Sequence, residues 1–193
     1  MGRVTGPMLL LLIGTATAIA QNGAWRLDKA HSSVTFAVRH MLISEVTGKF
    51  KDFDIAVTSS EDDFTDAVID ATIKVASITT ENERRDNHLR SDDFLNAEKF
   101  PEIKFKSTSI EKTGKDSYKI YGTLTIRDTT KQVVFDAVHN GTITTKQGKR
   151  MGWRATLSLN RFDYGLRWDR TIDTGALIAG DKVNITLNVE FVK

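Results

Sequence analysis

The chain has 193 residues, 40% of them apolar and 27% charged, with a formal net charge of +2. That length and apolar share suffice for one domain with a sizeable core, and they exclude a disordered chain. The lack of cysteine excludes disulfides, thiolate metal sites and a cysteine nucleophile, and so small a charge excludes the electrostatic footprint of a nucleic-acid-binding protein.

Met1 to Ala20 reads as a secretory signal. A short basic start (Met1-Gly2-Arg3) precedes the apolar run Met8-Leu9-Leu10-Leu11-Leu12-Ile13, and Ala18-Ile19-Ala20 has the small-x-small pattern of a cleavage site. From Met8 to Ala20 the apolar stretch is 13 residues, short of the roughly 20 that span a bilayer. A periplasmic or secreted domain over residues 21–193 is therefore expected, without a stable membrane span.

From Trp25 onward the pattern has period two. A short strand is expected at Trp25 to Asp28. Val34, Phe36, Val38 and His40 then alternate with Ser33, Thr35, Ala37 and Arg39. Ile69, Ala71, Ile73 and Val75 repeat the pattern. Past Thr80-Glu81-Asn82-Glu83, which has capping-box spacing, Glu81 to Arg90 reads as a short helix with acidic residues first and basic ones last. A second turn is expected over Asp92 to Glu98, stopped by Pro101. Alternation resumes at Ile103 and Phe105, at Tyr118, Ile120, Leu124 and Ile126, at Trp153, Ala155, Leu157 and Leu159, and at Val183 to Phe191. Turn residues separate these runs, including Lys112-Thr113-Gly114, Gln147-Gly148 and Gly180-Asp181.

About eight long antiparallel strands indicate an all-β sandwich or an up-and-down barrel, and long strands with one helical insertion favour the barrel. Such a barrel is either filled by its own side chains or holds one small ligand. Alternation alone leaves open which face points inward. An outer-membrane barrel would need its many charges to share a narrow lumen, so an apolar interior is expected instead.

Motifs of catalysis are missing. There is no phosphate loop, Rossmann fingerprint or Gly-x-Ser-x-Gly elbow. His31, His40, His88 and His139 are scattered without metal-ligand spacing. The pairs Asp62-Asp63 and Asp92-Asp93 suit turns and helix starts. Arg84, Arg85, His88 and Arg90 form the densest basic group, read as a solvated helix face or a contact to an anionic head group. No cofactor, metal or enzymatic activity is expected.

Several blocks, in order, resemble the YceI-like family. They are His31 to His40 with Gly48-Lys49-Phe50-Lys51-Asp52-Phe53; Asn87 to Leu95 followed by Lys99-Phe100-Pro101-Glu102-Ile103-Lys104-Phe105; Gly122 to Arg127 with Thr130-Lys131; and Gly180-Asp181-Lys182-Val183. Gln132 departs from the proline that members often carry there. The resemblance implies a lipocalin-like extended barrel with an apolar tunnel. It also implies a secreted or periplasmic protein that binds a long-chain polyisoprenoid or fatty amphiphile, has no assigned catalytic residues, and forms a possible homodimer.

On that reading the inward set supplies the tunnel wall. It comprises Val34, Phe36, Val38 and His40 from one strand, then Phe50 and Phe53, then Ile73 and Val75 of the following run. Phe105, Leu124, Ile126 and Phe135 follow, then Trp153, Leu157 and Leu187. About half are expected to fill the barrel ends, as the side chains of a small barrel do. Phe94, Leu95 and Phe100 would cover one opening. The loop Phe162 to Asp173, with Tyr164, Arg167, Trp168 and Arg170, would edge the mouth, and Arg167 or Arg170 would meet a head group. Burying a tail of some twenty carbons gains roughly 16 kcal/mol gross, at about 0.8 kcal/mol per carbon, so a tunnel needs no charged motif. The alternatives are an enzyme acting on such a lipid, marked by His and carboxylate groups converging at the mouth, and an interaction protein with a solid core.

Overall fold

The computed structural model describes Gly2 and residues 23–193, so the signal reading of Met1 to Ala20 lies, Gly2 apart, outside the described residues. One antiparallel sheet contains all the strands. They are β1 (Ala24–Leu27), β2 (Ser33–His40), β3 (Ser44–Phe50), β4 (Phe53–Thr58), β5 (Val68–Lys74) and β6 (Ile78–Thr79), followed by β7 (Glu102–Lys112), β8 (Ser117–Ile126), β9 (Thr129–Thr145), β10 (Gly148–Asn160) and β11 (Ala179–Val192). A single α-helix among the described residues, α1 (Glu83–Arg90), lies between β6 and β7.

These eleven strands occupy eight positions around a closed barrel. β1 and β2 are halves of one position, because both pair with β11, through Arg26↔Val192 and Val38↔Val183. β3 and β4 share the next (Val34↔Phe50, Trp25↔Val57), and β5 and β6 the third (Phe53↔Ile73, Phe50↔Ile78). Pairing then follows chain order from β7 to β11, and β11 closes on β1. The up-and-down barrel expected from alternation is the one observed. Its first three positions are broken by tight local structure, such as the 3-10 turn at Lys29–His31, where Asp28 Oδ1 accepts from Ala30 N at 3.1 Å.

Period two decides the faces. Along β8, Tyr118, Ile120, Leu124 and Ile126 are buried, while Lys119 pairs outside with Asp136 of β9 at 2.9 Å. The apolar face points inward and the charged one outward, the reverse of a polar-lumen membrane barrel. Among the described residues, no helix is long and apolar enough to cross a membrane.

The helix begins later than its sequence suggests. Asn82 is the N-cap, its Oδ1 accepting from Arg85 N at 3.0 Å. Thr80 does not close the capping box because its hydroxyl is engaged elsewhere: it is buried and donates to Asp86 Oδ1 at 2.6 Å. From Asp92 to Glu98 the chain forms tight turns rather than a helix, with Phe94 N and Asn96 N both donating to Ser91 O. Arg127, in the β8–β9 turn, fastens this insertion to the barrel rim by donating to Phe94 O (3.0 Å) and Asp92 Oδ1 (3.1 Å).

Candidate functional site

The barrel is hollow. A cavity of about 380 Å³ runs along its axis, bordered by side chains from every strand position. Most of the lining is aliphatic or aromatic, as the inward alternation requires.

An aromatic plug seals one end. Phe64, from the β4–β5 loop, turns inward with a left-handed backbone (φ 60°) and is 6% exposed. Its ring meets Trp153 edge-on at 5.3 Å, His139 at 5.2 Å and Trp25 at 6.2 Å. Asp66 braces the loop by accepting from Ser59 Oγ (2.6 Å) and Ser60 N (2.7 Å), hydrogen bonds that hold its carboxyl below the usual carboxylate range. Burial among these rings pulls the His139 imidazole below its ordinary pKa.

At the α1 end, the β2–β3 turn, α1 with its following turns, and the β10–β11 loop surround the opening. His88, Phe94 and Trp168 cluster here, with ring centroids 5.0–5.5 Å apart. Arg39, exposed, and His40, Arg85 and His88, half-buried, border the cavity beside them, so its lining reaches solvent at this end. Arg161 is 3% exposed and also borders it. Its guanidinium donates to Gly180 O, Leu166 O, Trp168 O and Ala179 O, tying down the β10–β11 loop. Burial lowers its pKa from the ordinary arginine value.

The expected wall residues divide between lining and core. Val34, Phe36, Val38, His40, Phe50, Ile73, Phe94, Phe105, Leu124, Ile126, Phe135, Trp153 and Leu187 border the cavity. Phe53, Val75, Leu157 and Tyr164 do not. Phe53 and Val75 sit at the breaks in the second and third strand positions, where they are buried in the core. Leu157 packs half-buried against that core. Tyr164 lies in the 3-10 turn after β10, fully buried, with its hydroxyl pushed up to about 12 by burial. Leu95 borders the cavity; Phe100 lies outside it, under the cations of Lys99 and Arg127. Arg167 and Arg170 are exposed and do not border it.

Sequence reasoning missed Phe64, Met151 and Arg161. Phe64 follows an acidic, loop-like stretch, and its burial comes from a backbone reversal that no period signals. Met151 lies within β10, whose inward parity was visible at Trp153 and Ala155, so Met151 was legible, and Arg161 follows that strand. Arg161 was not, because its partners are backbone carbonyls distant in sequence.

Among the described residues, one cluster has metal-ligand proximity: Asp28, His31 and Glu190. Arg150 already lies between the carboxylates, 2.9 Å from Asp28 and 2.6 Å from Glu190, and supplies their positive charge.

Comparison with known proteins agrees with this architecture. The model of the YceI-like domain matches residues 25–191. The UPF0312 protein SA2479 of Staphylococcus aureus is 36% identical over 166 residues, 85% of this chain and 94% of the relative. A crystal structure of the Campylobacter jejuni YCEI protein is 36% identical, with a TM-score of 0.70 over 86% of this chain and 96% of its own. A polyisoprenoid binding domain from Saccharophagus degradans has the same fold at 13% identity (TM-score 0.65, covering 88% of this chain and 98% of that one). With the match spanning the whole barrel, from β1 into β11, this chain belongs to the YceI-like family.

Proposed function

We propose that this protein binds the apolar chain of a long isoprenoid or similar amphiphile in its barrel, as an exported carrier or storage protein and not as an enzyme. The observation that carries the reading is the axial cavity, apolar over most of its lining, plugged at Phe64 and reaching solvent beside α1. Each carbon moved from water into it gains about 0.8 kcal/mol, so a long tail can offset the losses of chain ordering and association. The fold shared with a domain described as polyisoprenoid-binding supports the same reading. Export rests on the Met1 to Ala20 pattern. Native mass spectrometry and organic extraction of the protein, purified from the compartment it occupies, test both. A co-purifying lipid with a long apolar chain is expected; repeated recovery of empty protein under mild conditions would overturn the assignment.

One observation favours an enzymatic reading: His88 Nε2 lies 2.8 Å from Asp93 Oδ2 at the mouth. The ring of His88 is also held edge-on against Phe94 and Trp168, which accounts for its position by packing. Incubation with a prenyl monophosphate should return it unchanged. Turnover that disappears in a folded His88→Ala variant would instead establish catalysis.

A further inference from the structure

The charged groups bordering the cavity are all basic. Arg39, His40, Arg85, His88 and Arg161 reach it, and no aspartate or glutamate does so among the described residues. The chain as a whole is nearly balanced, with 27 Lys and Arg against 25 Asp and Glu, so the one-sided lining is a property of the site. All five lie at the α1 end. None borders the cavity near the Phe64 plug.

Two of these groups are already committed. Arg161 is occupied with loop carbonyls, and His88 with Asp93. Of the other three, His40 and Arg85 are available, and Arg39 has the outward parity of β2, in register with Glu45 of β3. Arg39 and His40 make no side-chain hydrogen bond or ion pair among the described residues. Arg85 donates through Nε to Thr80 Oγ1 (2.7 Å) and through Nη2 to Thr80 O (3.0 Å), which fixes its guanidinium and leaves Nη1 without a partner among the described residues. The nearby carboxylate of Asp86 is turned to the Thr80 amide and hydroxyl and does not border the cavity.

We propose that the bound amphiphile carries an anionic head group, a phosphate or carboxylate, seated at the α1 end against His40 and Arg85. This rests on the tail-binding reading above and adds the ligand's orientation and head chemistry. Guanidinium groups beside a low-dielectric wall attract an oxyanion more strongly than they would in open water, and their fork matches two oxygens at once. A cationic head would be repelled there. A neutral one would leave the charges with water alone.

The test compares probes of matched chain length on the delipidated protein, read by displacement of an apolar fluorophore. They are a twenty-carbon prenyl monophosphate, the corresponding alcohol, a long-chain fatty acid and a long-chain quaternary amine. At least one anionic probe should bind about tenfold more tightly than the alcohol, the effect of one charge-assisted contact, with the amine weakest. Preference for phosphate alone names a prenyl phosphate, and preference for carboxylate alone a fatty acid; either supports the proposal. His40→Gln should lose part of the preference and His40→Gln/Arg85→Gln most of it, with anion affinity falling more than alcohol affinity. His40 has no side-chain hydrogen-bond partner to disturb among the described residues, so its variant keeps the test valid if Arg85 proves necessary for folding. Equal binding of alcohol and anions would overturn the anionic head while leaving tail binding intact. Failure of every probe, alcohol included, would overturn both.

Discussion

Phe36 of β2 and Gly48 of β3 are directly opposed across the barrel wall, and the phenyl ring occupies the space that a side chain on Gly48 would need. A Cβ at Gly48 would stand 2.3 Å from Phe36 Cζ. The same device recurs on β8, where a Cβ at Gly122 would stand 2.5 Å from Phe105 Cζ and 2.4 Å from Lys106 O. Each glycine lets a neighbouring ring lie along the wall, and both rings border the cavity.

These two positions predict unequal costs. Gly48→Ala meets mainly the far end of a side chain, which can rotate into the tunnel, so a loss of about 1 kcal/mol is expected, together with weaker binding of an apolar probe. Gly122→Ala also meets backbone, which can move only by disturbing the β7–β8 ladder, and about 3 kcal/mol is expected. Urea denaturation of both variants, with probe titration of the folded fraction, measures the difference.

Arg161 should prove to be a loop anchor. Replacing it by Met removes the donors for four backbone carbonyls of the β10–β11 region, at a cost on the order of 3 kcal/mol or more, because buried acceptors are left unpaired. Arg161→Lys should recover little, since an ammonium cannot span the same fork of acceptors. Limited proteolysis within residues 165–178 should accelerate in both variants before global unfolding does. Unchanged protection would show that the loop is held by other contacts.

The β2–β3 turn should be improvable. Met41 (φ 49°) and Leu42 (φ 64°) both adopt left-handed backbone, and the turn closes with Ile43 N donating to His40 O at 3.1 Å. Leu42 is 62% exposed, so its side chain recovers little through burial. Met41→Asn/Leu42→Gly supplies the residue types that a turn with two left-handed central residues favours, and should stabilise the fold by about 1–2 kcal/mol. A higher denaturant midpoint with an unchanged slope is the expected result.

Acid should weaken the barrel in a defined window. The Asp28 carboxyl is held at about 2 by His31 and Arg150, and that of Glu102 at about 2 by Lys74 and Lys104. Both lie below their unfolded values of roughly 4. Between about pH 4 and pH 2 the unfolded chain therefore binds more protons than the folded one, and stability falls as pH falls. These contributions are fully present above about pH 5. Asp28→Asn and Glu102→Gln should each flatten the fall of the urea midpoint across this window, and an unaltered slope would exclude the pairs as its source.

Alternation, together with long strands and one helical insertion, was enough to favour the barrel over a sandwich. A strand's side chains point to opposite faces, so Val34, Phe36 and Val38, or Ile120, Leu124 and Ile126, can be buried together only on one side of a sheet, and strands this long with short turns close on themselves. The family blocks added the identity of that barrel. Parity could not tell lining from core. Phe53, Val75 and Leu157 share the inward face with Phe36 and Phe105, and what separates them is where the strands break and how far the opposite wall stands. The ends of the barrel were less legible still. Phe64 plugs one end through a backbone reversal, and Arg161 anchors the other through carbonyls brought near only by closure. The concentration of arginine and histidine at a single mouth likewise arises because β2, α1 and the β10–β11 loop, far apart in the chain, meet at the same rim.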